Sequence, residues 1–259
     1  MSFLALLVVS GCERLASAGD VVDGLGDTTV AQAIFLGADI PSFVELPRDS
    51  EFYTAFCKVF LAEVTDISDF TNSPVSGADV RFTSAETGRL VLTEAEAGAY
   101  ESYSYDGLSY TAGQTAIVAF DAGGEAGELR VEAPAAPTFT VSLGTRAHES
   151  MTLTVTDGAF SHLVALVYDL DHDQLTYDSL PDDVEAAYEL NSTEGDAVTT
   201  VVIPGDAFKR KSTYIIGLAG LEVGNAEAFE GVNEALSTFA AGQLGLQVVA
   251  VDGAVDGGP

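Results

Sequence analysis

Tryptophan is absent from this chain of 259 residues; histidine occurs three times, and cysteine and methionine twice each. Cations are scarce as well: ten Lys and Arg face forty Asp and Glu, giving a formal net charge of −30, and the lysines are Lys58, Lys209 and Lys211. A surface of that sign repels phosphate backbones and anionic headgroups, which excludes nucleic acid as a partner. Neither a Gly-rich phosphate loop nor a dinucleotide fingerprint occurs, which argues against nucleotides. The Gly-x-Ser-x-Gly elbow is missing, and neither Ser161-His162 nor His148-Glu-Ser150 has the spacing of a catalytic set. A triad can assemble from distant residues, but no local motif points to one. His-x-x-x-His, Cys-x-x-Cys and His-Glu-x-x-His are absent too, so no local zinc motif exists. The expectation is a non-catalytic protein with no cofactor. No apolar run reaches the about 20 residues that a membrane-spanning helix needs.

The acidic residues are spread evenly along the chain. That spacing favours solvation in saline surroundings over capture of a cationic ligand.

What is present is core material. Hydrophobic residues make up 47% of the chain, with fourteen Phe and nine Tyr, far from a disordered composition. Phe52 to Glu63 alternates, with Tyr53, Ala55, Cys57, Val59 and Leu61 on one face. After the Pro74 to Gly77 turn, Ala78, Val80 and Phe82 point one way and Asp79, Arg81 and Thr83 the other. Further strands are predicted at 89–93, 100–105, 115–120, 128–132, 152–156, 163–168, 198–203, 214–218 and 244–251, separated largely by glycine turns. Phe229, Val232, Leu236 and Phe239 recur at three and four, which predicts a short helical segment near 225–242, with Gly242 as its stop. Pro134-Ala-Ala-Pro137 is a stiff extended link. The pattern is all-β: two consecutive antiparallel β-sandwiches, over residues 28–135 and 138–252, followed by a disordered tail at 253–259.

Two resemblances add to this. The apolar run Phe3 to Val9 leads into Val9-Ser-Gly-Cys12, which resembles the lipobox of bacterial lipoproteins. It implies a signal peptide at 1–11, lipidation of Cys12, and export to a bacterial membrane. The outer membrane is the first expectation; the periplasmic face of the inner membrane and the cell surface are the alternatives. Residues 12–27, small and acidic, then read as a flexible tether. Lipid on Cys12 would leave Cys57 without a disulfide partner. Val75-Ser-Gly-Ala-Asp-Val80, Gly98-Ala-Tyr100 and Leu108-Ser-Tyr-Thr-Ala-Gly113, followed by the 115–120 strand, resemble the carboxypeptidase regulatory-like (transthyretin-like) sandwich family. That resemblance covers about residues 52 to 133 and implies a non-catalytic positioning or binding module. The second unit resembles immunoglobulin-like sandwiches in architecture alone.

Three groups are candidate sites. Asp169, Asp171 and Asp173 alternate after the apolar run 163–167, so an extended strand would turn all three to one face, where they could hold calcium. The plainer reading is a solvated strand end. Tyr100, Tyr103, Tyr105 and Tyr110 could line a carbohydrate-binding face, or pack across strands as tyrosines on sheets commonly do. Asn191-Ser-Thr193 matches a glycosylation acceptor but reads as a loop in a bacterial-type protein. The function expected is that of a lipid-anchored envelope protein, either a structural or partner-binding module or a binder of envelope carbohydrate or peptide. Its partners would be the membrane, through lipid, and an envelope protein or polysaccharide.

Overall fold

A computed structural model describes residues 28–42, 44, 52–66, 71–142, 146–158, 160, 162–192, 198–228, 232–233 and 236–253. The signal peptide at 1–11, Cys12, the tether and residues 254–259 lie outside them. Strand β1 (Thr28–Ala38) has no alternation because both of its faces are covered. Ala31, Ala33 and Phe35 enter one core, while Ile34, Leu36 and Ala38 enter another. A strand buried on both sides loses the period-two signal.

β1 lies between β2 (Ala55–Asp66), antiparallel to it, and β16 (Thr238–Val251), parallel to it. Beyond β2 come β7 (Ala99–Tyr103) and β6 (Thr93–Glu96), with β3 (Thr71–Pro74) also paired to β2. Beyond β16 come β15 (Ser212–Ala228), β12 (His162–Asp169) and β13 (Gln174–Asp178). Together these form one long sheet. A second group comprises β5 (Gly88–Val91), β4 (Asp79–Ser84), β8 (Thr115–Ala122) and β9 (Glu125–Glu132). A third comprises β10 (Phe139–Ser142), β11 (Met151–Val155) and β14 (Thr200–Ile203).

The second and third groups cover the same face of the long sheet, side by side. Phe239 and Ala241 of β16 enter the first core with Phe35, Phe82 and Val118. Val249 and Val251, on the same face of β16, enter the second core with Met151, Leu153 and Phe208. Burying a side chain the size of Phe239 contributes about 1.5–3 kcal/mol. The opposite face carries Ile34, Tyr168, Ile215, Ala240 and Leu244, packed with Phe52. Helix α1 (Val184–Ser192) covers Val30, Phe60 and Ala62 there through Val184 and Ala187. The Asp183 carboxylate caps its start, accepting the Ala186 N–H at 2.9 Å.

The chain is therefore all-β, with β-sandwich cores on either side of Pro134–Pro137. Val232, Phe239 and Ala241 reach back from the C-terminal half into the first core. Hydrogen bonding crosses the boundary as well, because β16 pairs β1 and residues 226–228 of β15 pair β9. Gly224 makes the second crossing possible. A Cβ there would lie 1.8 Å from the Arg130 carbonyl oxygen, so only glycine permits the approach.

The helical segment expected near 225–242 is not present in the described residues. Residues 225–228 continue β15, and residues 238–242 begin β16. The three-and-four spacing arises because Val232 and Phe239 turn into the first core while Leu236 turns to the opposite face. Bonds to β1 replace helical ones. The Ala31 N–H donates to Ser237 Oγ at 3.0 Å, the Asn233 N–H donates to the Thr29 carbonyl at 3.0 Å, and the Thr238 hydroxyl donates to buried Gln32 at 2.6 Å. Gly242, read as a helix stop, is a strand residue whose Cβ would meet the Gly220 carbonyl oxygen at 2.9 Å.

Candidate functional site

The pairing of β2 with β7 sets Phe56 opposite Tyr103. The chain then makes a short 3-10 turn over Ser104–Asp106, ended by Gly107 at φ 96°. Asp106 holds this turn: its carboxylate accepts the Tyr103 N–H at 3.1 Å and the Ser102 hydroxyl at 3.2 Å. The Thr54 N–H donates to Ser104 Oγ at 3.3 Å, tying the turn to the start of β2. Four rings gather on this frame. Tyr53 and Tyr103 have centroids 4.4 Å apart, Tyr103 and Tyr105 stack at 5.3 Å and 16°, and Tyr53 meets Tyr105 edge-on at 5.5 Å. Phe56 backs Tyr103 at 5.3 Å. Tyr105 is 69% exposed, a large value for a ring held in place on a rigid turn.

Carboxylates border the rings. The Tyr103 hydroxyl donates to Glu101 at 2.6 Å, and Lys58 Nζ lies 3.1 Å from the other Glu101 oxygen. The Tyr103 phenol is pushed well up by burial and by that bond to Glu101. The Tyr105 phenol is also raised, by desolvation first and then by Asp106, Tyr53 and Glu101.

Of the four tyrosines picked out in the sequence, the structure brings Tyr103 and Tyr105 together and sends the other two inward. Tyr100 is buried; its hydroxyl donates to the Val75 carbonyl at 2.9 Å and accepts the Ala78 N–H at 2.8 Å. Tyr110 packs on Phe35 at 4.7 Å and donates to the Pro134 carbonyl at 2.7 Å. Nothing in the sequence pattern marks Tyr53 or Phe56 for this cluster: the alternation sets Tyr53 on the face of Ala55 and Cys57, although it precedes β2. The Val75–Val80 and Gly98–Tyr100 motif segments do meet, through the Tyr100 hydroxyl. Gly98 is required there, with φ 73° and with a Cβ that would lie 2.7 Å from the Leu61 carbonyl oxygen.

The three aspartates do not converge. The strand ends at Asp169, and residues 170–173 form a turn, so the alternation that would align the carboxylates stops there. Asp169 is fully buried and accepts from the Ser212 hydroxyl. His172 Nδ1 lies 3.0 Å from its two oxygens, and Arg210 Nε lies 3.4 Å from Oδ2. Oδ2 receives no well-aligned hydrogen bond, and the Arg210 guanidinium beside it supplies the counter-charge. Asp171 faces β15, accepting the Thr213 N–H at 2.9 Å and the Ser212 hydroxyl at 3.1 Å, bonds that lower its pKa. Asp173, at φ 52°, accepts from the Tyr168 hydroxyl. Each carboxylate latches the β12–β13 turn to its surroundings. Among the described residues, no group of three His, Cys, Asp or Glu side chains is arranged to hold a metal.

Ser212, His172 and Asp169 have the composition of a nucleophilic set but not its connection. The buried Ser212 hydroxyl donates directly to the carboxylate, not to an imidazole. Cys57 lies in the first core with its thiol pushed up by burial, which suppresses the thiolate. His162 is buried at the start of β12, whereas His148 is exposed. An open cleft of about 550 Å³ lies where β9 and β15 cross, lined by Thr115, Arg130, Glu132, Glu222 and Gly224. Cys12 lies outside the described residues, as does Thr193 of the glycosylation-type motif. No described helix is long and apolar enough to cross a membrane.

No protein-family model matches the chain, and no curated protein matches it. Among solved structures, the FN1-FN3 domains of chicken CNTN1 are 11% identical, covering 84% of this chain and 67% of that one at a TM-score of 0.25. A two fibronectin type-III domain segment from chicken tenascin is 8% identical, covering 80% and 97%, at 0.22. The assignment of this chain as all-β sandwiches rests on its own strand pairing.

Proposed function

We propose that this is a non-catalytic envelope protein, exported and lipid-anchored through Cys12 to a bacterial membrane, the outer membrane first, whose double sandwich presents an aromatic platform to an envelope partner. The observation that carries the binding reading is the ring cluster in which half-buried Tyr53, Phe56 and Tyr103 back the exposed Tyr105, fixed by the Asp106-held turn. An ordered aromatic surface loses little conformational freedom on binding and supplies large contact area. Support for the anchor comes from Val9-Ser-Gly-Cys12. The carboxypeptidase regulatory-like resemblance, whose motif residues meet at the Tyr100 hydroxyl, supports a positioning or binding module in the first unit. A non-catalytic role is supported by the Ser212 proton being held by Asp169 and by the burial of Cys57.

A second reading, a structural spacer, is favoured by the long sheet that ties both sandwiches together. Pelleting the Cys12→Ser chain with isolated envelope polysaccharide and with envelope protein separates the two. We expect retention by one of these fractions and its loss in Tyr53→Ser/Tyr105→Ser. Equal retention of both proteins, or of neither, contradicts the platform and leaves the spacer.

A further inference from the structure

We infer that the Tyr53–Tyr103–Tyr105 platform takes a cation, the guanidinium or ammonium group of a basic segment on a partner protein. This rests on the platform being a binding surface. The rings are not coplanar: Tyr53 is tilted 51° to Tyr103 and 66° to Tyr105, while Tyr105 covers one face of Tyr103. A sugar is best met by a flat strip of rings, whereas these rings contact one another, with centroids 4.4–5.5 Å apart, and leave the exposed Tyr105 ring as the surface that a cation meets from outside. Carboxylates complete that arrangement. Glu101 lies at the Tyr103 hydroxyl and Asp106 within the same turn, and the Tyr105 phenol responds to both. This edge already holds one cation in the same manner. Lys58 Nζ sits 3.1 Å from Glu101 and 4.8 Å above the Phe60 ring centroid. A net charge of −30 steers basic partners to the protein from a distance, and the ring cluster supplies a contact that charge alone does not.

A tetra-arginine peptide is the probe, with tetra-citrulline as its uncharged counterpart and a chitohexaose oligosaccharide as the sugar. Because the chain has no tryptophan, tyrosine fluorescence reports binding without interference, and calorimetry gives affinity. At about 0.15 M salt, where screening acts beyond about 8 Å, the arginine peptide should bind at least about tenfold more tightly to the wild type than to Tyr53→Ser/Tyr105→Ser. That variant has the same net charge. Tyr105→Phe keeps the ring and should keep the affinity, which separates loss of the π surface from misfolding. Citrulline peptide and chitohexaose should bind neither protein. Equal arginine-peptide affinity in wild type and double variant would overturn the inference, showing that net charge alone drives binding. Tyrosine-dependent binding of chitohexaose without the arginine peptide would also overturn it while preserving the platform. A platform-dependent envelope interaction insensitive to the arginine peptide would do the same.

Discussion

Ala33 of the first described strand pairs in parallel register with Phe239 of the last, and both side chains enter the core of the first sandwich. The link at Pro134–Pro137 therefore separates two cores that share a sheet. Cleavage introduced between Ala135 and Ala136 should leave the halves associated in gel filtration and melting in a single transition. Separation into two fragments, each with its own cooperative melt, would show that neither needs β1 against β16 or β9 against β15.

Sequence alone reaches the alternating strands well. β4, with Val80 and Phe82 inward and Asp79 and Arg81 less buried, follows its pattern, as does β2 with Cys57, Val59 and Leu61. It fails where a strand is covered on both faces, as β1 is, because burial erases alternation. It fails again at 225–242, where a helical spacing is produced by side chains turning to two different cores. The aspartates show the same limit in the candidate site. Their alternation has meaning only while the strand continues, and it ends at Asp169. The tyrosine platform was half legible: Tyr103 and Tyr105 lie close together in sequence, but Tyr53 and Phe56 arrive through the pairing of β2 with β7.

Asp169 holds structure together: it accepts from the Ser212 hydroxyl and pairs with Arg210. Asp169→Ala removes the acceptor of Ser212, the counter-charge of Arg210 and the hydrogen-bond partner of His172, and hydrogen bonds to charged groups contribute about 1.5–3 kcal/mol. Arg210 and His172 each keep 40% of their side-chain surface exposed, so water recovers part of the loss and a cost of about 2 kcal/mol is expected in chemical denaturation. Calcium and sodium at matched ionic strength should raise the melting temperature equally by screening the acidic surface. A calcium-specific rise that Asp169→Asn/Asp171→Asn/Asp173→Asn abolishes would restore a metal role for the turn.

His162 gives the fold a sensitivity to mild acid. It is buried at the start of β12 opposite Leu221, and desolvation pushes its pKa below the ordinary value. The unfolded chain then binds a proton more readily than the folded one. The stability this histidine contributes is present above about pH 6.5 and is lost as the pH falls through its depressed folded value. Melting temperatures measured from pH 7.5 to 5 should fall more steeply for the wild type than for His162→Leu. Parallel curves would mean that the imidazole titrates alike in both states.

That this body works at a membrane surface is tested most directly at Cys12. In cells grown with a labelled fatty acid, the wild-type chain should carry the label and fractionate with membranes. Cys12→Ser should lose both the label and the membrane association while its sandwiches stay folded. Labelling and membrane fractionation unchanged in Cys12→Ser would contradict the lipid anchor.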